Sequence, residues 1–226
     1  MTTELVGRRQ RRRRETIDEI LDVAVSVMAE SGAGGLSIGE IARRMGIQPP
    51  SLYVYFESKN AIYDAVFARG WNLLLDSMAP LGQQLDDADD GAALLLIASQ
   101  HFTRWAVENR PYAELMFWRP VPGYTPSEEA FVPATEMYRR TMQLFGELQR
   151  REVIRADIDT AEVTTAWTVL ISGVISQHLS NEPAQTFAAG RFTRLLPALT
   201  SMFLAHYEPK GHCEPKERAD DGRRIR

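Results

Sequence analysis

The sequence predicts an all-α fold, on three observations. Apolar residues recur at a period of about 3.6 through almost every segment. No alternating polar–apolar run persists as a strand would require, and no internal repeat is present. Helix-starting side chains stand where the apolar stripes begin. With 226 residues, 44% hydrophobic and 25% charged, the chain has an ordinary globular composition and the length to bury a substantial core.

Each element can be justified in order. Ile17, Ile20, Leu21, Ala24 and Met28 form one apolar stripe on a first helix, and Gly32 is placed to cap its end. Ser37 and Glu40 have capping-box spacing, with Ser37 serving the Glu40 amide and Glu40 reaching back. Ile41, Ala42 and Met45 continue that short helix and Gly46 ends it. Pro49 and Pro50 fit only the first turn of a helix, where a missing N–H costs little, so a very short third helix is expected over about 49–56. Ser58 caps a long fourth helix through Ile62, Val66, Leu73 and Leu74. The acidic cluster at 86–90 marks a break. Helices then follow near 91–109, 111–119, 127–152, 160–181 and 185–207. Ser127, and Asp159 with Glu162 three residues on, mark two of their starts. Residues 120–126, with three prolines and a glycine, read as a loop, and the polar stretch 208–226 is expected to be disordered.

The net charge of −4 does not itself suggest a nucleic-acid binder. Its distribution does: residues 1–60 carry 9 basic and 8 acidic groups, whereas the remainder carries 17 and 22. Six of the seven positions 8–14 are arginine, a local basic footprint on an acidic protein. The single cysteine, Cys213, excludes an intramolecular disulfide. The arginine run leads into an acid-bearing amphipathic stretch and not an apolar signal region. The longest apolar run, 163–176, is too short and too rich in Ser and Thr to span a bilayer. A cytoplasmic protein with no membrane partner is expected.

Two short helices joined at Gly46 suit a helix-turn-helix. Met45, Ile47, Leu52 and Phe56 serve as apolar anchors, and small or polar groups project from the second helix toward a major groove. Residues 37–62, SIGEIARRMGIQPPSLYVYFESKNAI, closely resemble the DNA-binding head of the TetR (tetracycline-repressor-like) family. With the first helix included, the likeness spans about 12–70. The resemblance implies that Gln48, Pro49, Pro50, Ser51 and Tyr53 face bases and adjacent backbone, and that Ser37, Tyr55 and Lys59 hold phosphates. Lys59 is a cation in a first helical turn, where dipole logic favours an acid; a phosphate over that terminus would account for it, and a solvated lysine is the plainer alternative. Gly39 departs from family members that carry a long base-reading side chain there. Specificity should then lean on thymine methyls and DNA shape. Arg11, Arg12, Arg13 and Arg14, with Arg8 and Arg9, form an arm before the first helix, reaching the backbone or a minor groove, or else serve only as a solubilising tail.

The resemblance implies a C-terminal helical domain that dimerises and binds an effector. The domain bounds expected are a basic arm at 1–14, the head at 15–60, the body at 61–207 and a tail at 208–226. Val163, Ala166, Trp167, Val169, Leu170 and Val174 leave the penultimate helix apolar on most sides, and Phe192, Leu195, Leu196, Leu199, Phe203 and Leu204 follow on the last. A homodimer through these two helices would bury the excess and predict a palindromic operator on double-stranded DNA. Trp105, Phe117, Tyr138, Met142 and Trp167, with Trp118 and Phe145 nearby, could line a pocket for an apolar or aromatic effector, or simply form core. No enzymatic fingerprint is present, and no cofactor or metal is expected; Glu208, His212 and Cys213 are a poor metal set. The function so expected is that of a ligand-responsive regulator, by default a repressor. A sensor or interaction module that has lost DNA binding is the other reading.

Overall fold

The structure, a computed structural model, describes residues 2–87 and 90–209. Among these residues it holds nine α-helices and no strand: α1 (Thr2–Ser31), α2 (Ile38–Arg44), α3 (Pro49–Leu52), α4 (Lys59–Asp87), α5 (Gly91–Glu108), α6 (Arg110–Trp118), α7 (Glu128–Arg150), α8 (Thr160–Asn181) and α9 (Leu196–Tyr207). Residues 88 and 89 of the acidic break, and all but the first two residues of the expected tail, including His212 and Cys213, lie outside the described residues.

Helices α1 to α3 fold over one end of α4. Ile20, Leu21, Ala24 and Met28, the stripe visible in the sequence, are buried with Leu36, Ile41, Ala42, Leu52, Ile62 and Val66. Four residues of α3 cannot hold a helix by propensity; Leu52, 1% exposed, and the buried Phe56 anchor it. Emptying the Leu52 site by substitution to Ala would cost about 2–5 kcal/mol. Gly46 adopts φ 67°, its N–H bonds the Arg43 carbonyl at 3.2 Å, and the Ile47 N–H bonds that of Ala42 at 3.0 Å. This paired closure of the last turn needs a left-handed residue.

Four expectations are corrected. The arginine run does not precede the first helix but belongs to it: α1 starts at Thr2. Nothing between Arg8 and Ser31 breaks a helix, arginine is a good helix former, and Arg11 pairs with Glu15 one turn on. Helix α3 ends at Leu52, four residues early, in a turn closed by Tyr55 and Phe56 N–H groups on the Leu52 carbonyl. Glu40 does not reach back to cap α2; Arg43 and Arg44 take its carboxylate at 2.7 Å, charge-assisted bonds that outcompete an amide. The last helix begins at Leu196 and not near 185. Pro197 sits in the first turn of the helix, where its missing N–H costs little, and Gly190 is pressed so closely on the His178 ring that a Cβ there would meet it at 2.5 Å.

In the body, α4 packs lengthwise on α7, with α5 and α6 beside it and α8 and α9 closing the far side on α5 and α7. Gly70 lets α4 approach α6: a Cβ there would lie 2.6 Å from Met116 Sδ. Trp167 of α8 meets Phe203 of α9 edge-on, with ring centroids 4.7 Å apart, and Phe145 of α7 completes the cluster.

Candidate nucleic-acid interface and effector pocket

The expected reading residues share one exposed surface. Gln48 is the N-cap of α3, and Pro49 and Pro50 occupy its first turn. Gln48, Pro49, Pro50 and Ser51 are all exposed, and Tyr53 is 53% exposed just beyond the helix. Tyr53 and the neighbouring Val54, 70% exposed, together leave an apolar edge in water beside the buried Leu52, a surface suited to contact with a partner. Ser37 caps α2, its Oγ accepting from the Glu40 N–H at 3.4 Å. Ser58 caps α4 by accepting from the Ala61 N–H at 3.1 Å, and Lys59 starts that helix with its Nζ 5.5 Å from the Tyr63 ring centroid. The first turn of α4 has no acid, so the amides and the ammonium there favour an anion.

The basic helical extension meets this surface through Arg13. Its guanidinium donates to the Val54 carbonyl at 3.4 Å and lies 5.5 Å from the Tyr55 ring. Arg13 therefore braces the turn after α3, and Tyr55 is half-buried beneath it. Arg11, Arg12 and Arg14 are exposed on the same helix. Arg43 and Arg44 are committed within the head: Arg44 bridges Glu40 at 2.7 Å and Glu30 of α1 at 2.5 Å. Hydrogen bonds from Arg43 and then Arg44 hold the Glu40 carboxyl down to about 2, and the bond from Arg44 lowers that of Glu30.

Sequence reasoning missed the residues that fasten this head to the body. Tyr63 donates to the Ala33 carbonyl, in the link between α1 and α2, at 2.9 Å. Its ring lies 5.0 Å from that of Tyr124 in the α6–α7 loop. Tyr124 in turn donates to Asp64 of α4, which also accepts the Ser127 N–H. No local pattern could reveal partners sixty positions apart.

A cavity of about 90 Å³ opens between α4, α5, α7 and α8, walled by Met78, Ser99, Phe102, Met137, Thr141 and Trp167 among others. A second, of about 120 Å³, shares Met78, Ala98, Met137, Thr141 and Leu144 with it. Of the five expected pocket residues only Trp167 lines either space. Trp105 is buried against Tyr112 instead. Phe117 packs between Trp71 and Phe102, Tyr138 is 43% exposed, and Met142 is partly buried away from both cavities. Helical period placed these side chains on helices but could not say which face meets which neighbour. No helix among the described residues is long and apolar enough to cross a membrane.

Comparison with known proteins matches residues 20–66 to the family described as bacterial regulatory proteins, tetR family. The chain is 30% identical over 95 residues to the uncharacterized HTH-type transcriptional regulator YobS of Bacillus subtilis, covering 42% of this chain and 48% of that one. It is 38% identical over 47 residues to the biofilm operon negative transcriptional regulator IcaR of Staphylococcus aureus, covering 21% and 25%. These matches thus span about half or less of each relative's length. Among solved structures, the transcriptional regulator FadR of Bacillus subtilis in complex with stearoyl-CoA superposes with a TM-score of 0.65 at 14% identity, covering 83% of this chain and 97% of that one. At that identity the likeness is one of fold.

Proposed function

Because this chain belongs to the TetR family of bacterial regulatory proteins, we propose that it is a dimeric, ligand-responsive repressor. It binds a palindromic operator and releases it when a small apolar or aromatic effector enters the body. One observation carries this reading: α4 begins at Lys59 beside the exposed face of α3 and supplies Met78 to both cavities. One continuous helix runs between the DNA end and the effector end.

In this reading Pro49, Pro50, Ser51 and Tyr53 face base edges with Gln48, while Ser37, Tyr55 and Lys59 hold phosphates. Arg11, Arg12 and Arg14 follow the backbone, and Arg13 braces the turn behind the recognition helix. Gly39 presents no side chain, and the prolines donate no hydrogen bonds, so thymine methyls and groove shape carry much of the discrimination. The apolar groups left in water on α8 and α9, Val169 and Met202 (both 67% exposed) with Leu195, support a two-fold dimer through those helices. That symmetry sets two heads on half-sites about 34–36 Å apart or a multiple of it. IcaR's description as a negative regulator supports repression, and a ligand-bound neighbour of the same fold supports an effector site in the body.

Selection of random duplex DNA by the purified protein tests this directly. An inverted repeat should be enriched, and the enrichment should fall steeply with salt. Recovery of no sequence above background would sink the proposal. Repeating the selection with apolar ligands identifies one that releases the DNA.

A further inference from the structure

The chemistry of the cavity wall narrows the ligand. This step rests on reading that cavity as the effector site. The larger share of the wall is apolar: Met78, Leu95, Ala98, Phe102, Met137 and Leu144. Set among these are the hydroxyls of Ser99, Thr141 and Thr168. Each spends its one proton on the carbonyl four residues back in its own helix. Ser99 donates to Leu95 at 2.5 Å, Thr141 to Met137 at 2.9 Å and Thr168 to Thr164 at 2.8 Å. A hydroxyl carries one donor and two lone pairs, so these three offer a ligand acceptors and no donor. Ser172 and the Trp167 indole are the other polar groups on the wall. No charged side chain lines this cavity, and the one charged group in the adjoining space, Arg140, is paired with Glu136 at 2.7 Å.

We propose that the pocket selects a neutral molecule of about one aromatic ring carrying a hydroxyl, which donates a hydrogen bond to the lone pairs of Ser99, Thr141 or Thr168. Size agrees. Each space is smaller than the roughly 150 Å³ that holds benzene in a dry cavity, so a single ring needs both, which lie side by side with five lining residues in common. Charge agrees as well: a carboxylate would leave water for a wall with no free cation, whose donors are confined to the Trp167 indole N–H and the Ser172 hydroxyl, a costly transfer. An apolar ring without a donor would bury its surface equally well but leave the lone pairs on the wall unmatched.

Titration calorimetry on the full-length protein with phenol, toluene and benzoate tests this. Phenol should bind about 3- to 10-fold more tightly than toluene, the worth of one neutral hydrogen bond, and benzoate should bind weakest of the three. In a variant carrying Ser99→Ala, Thr141→Val and Thr168→Val, phenol should fall to within about 2-fold of toluene, with toluene affinity kept. Toluene equal to phenol, benzoate tightest, no binding by any of the three, or a phenol preference that survives the triple variant each overturns the inference. The regulatory reading fails separately: phenol preference without release of a selected operator leaves the pocket chemistry standing and removes phenol-type molecules as effectors.

Discussion

The carboxylate of Asp64, in the second turn of α4, accepts a 2.8 Å hydrogen bond from the phenol of Tyr124, and the same oxygen accepts the Ser127 N–H at 3.2 Å. One side chain thus ties the α6–α7 loop to the helix that carries the DNA end of the molecule. Tyr63, adjacent in sequence, packs its ring against that of Tyr124 and donates to the Ala33 carbonyl, so holding the link between α1 and α2.

Tyr124→Phe removes the donor while keeping the ring against Tyr63. A hydrogen bond to a charged acceptor is worth about 1.5–3 kcal/mol, so thermal unfolding should come several degrees earlier, while Asp64 keeps its bond from Ser127. An unchanged melting temperature would mean that water replaces the phenol without loss.

Alkaline pH should destabilise the fold. Burial raises the phenol pKa values of Tyr63, Tyr112 and Tyr124, and for Tyr124 the Asp64 carboxylate adds to it. The folded chain holds these protons more tightly than the unfolded chain does. Their contribution is complete below the ordinary phenol value of about 10 and is lost as pH rises through it toward the folded values. Melting curves between about pH 8 and 12 should show the decline. Tyr124→Phe should make it shallower.

Acid acts on the head. The Glu40 carboxyl is held near 2 by Arg43 and Arg44, against an ordinary 4.5. Its stabilising contribution is present above 4.5 and fades as pH falls toward 2. Circular dichroism during acid titration of Glu40→Gln should show a weaker pH dependence in this window than the parent. Equal slopes would place the acid sensitivity elsewhere.

Removal of residues 1–10 takes away Arg8 and Arg9 but leaves Arg13 on the Val54 carbonyl. If both arginines neutralise phosphates, the slope of log affinity against log salt should drop by about 2. Arg13→Ala should cost more than either lost charge, because it also releases the turn after α3. A truncated protein with an unaltered salt slope would assign the extension to solubility alone.

Val169→Asp or Met202→Asp puts a charge where each protomer exposes an apolar group. Since those side chains lie outside the protomer core, helicity should be kept while sedimentation shifts from dimer to monomer and operator affinity falls. A dimer that tolerates both changes would place the interface on another face.

Much of the head was legible in the sequence because its signals are local. Ser37, Gly46, Pro49, Pro50 and Ser58 each fix a helix end within a few residues, and the stripe from Ile17 to Met28 names the buried face of α1. What failed depended on competition or distance. Glu40 looked like a cap until two arginines claimed it, and Pro197 set the start of α9 against an apolar pattern that ran on through Phe192. The pocket depended on which faces of α4, α5, α7 and α8 meet, and a period of about 3.6 leaves that rotation open when most sides are apolar. Trp167 was found because it is buried in any plausible packing, whereas Ser99 resembles an ordinary surface hydroxyl until the helices bury it, and Thr168 stays exposed at the edge of the cavity.

Helix α4 also sets a gear ratio. From Met78 at the cavity to Lys59 at the reading surface the rod is about 28 Å long, at 1.5 Å per residue. A swing of about 5° pivoted at the cavity end sweeps the Lys59 end through about 2.5 Å, and two symmetric heads would change their separation by up to twice that. In the dimer proposed above, a single-ring effector that produced such a swing would shift both heads off half-sites set by the groove repeat without unfolding either.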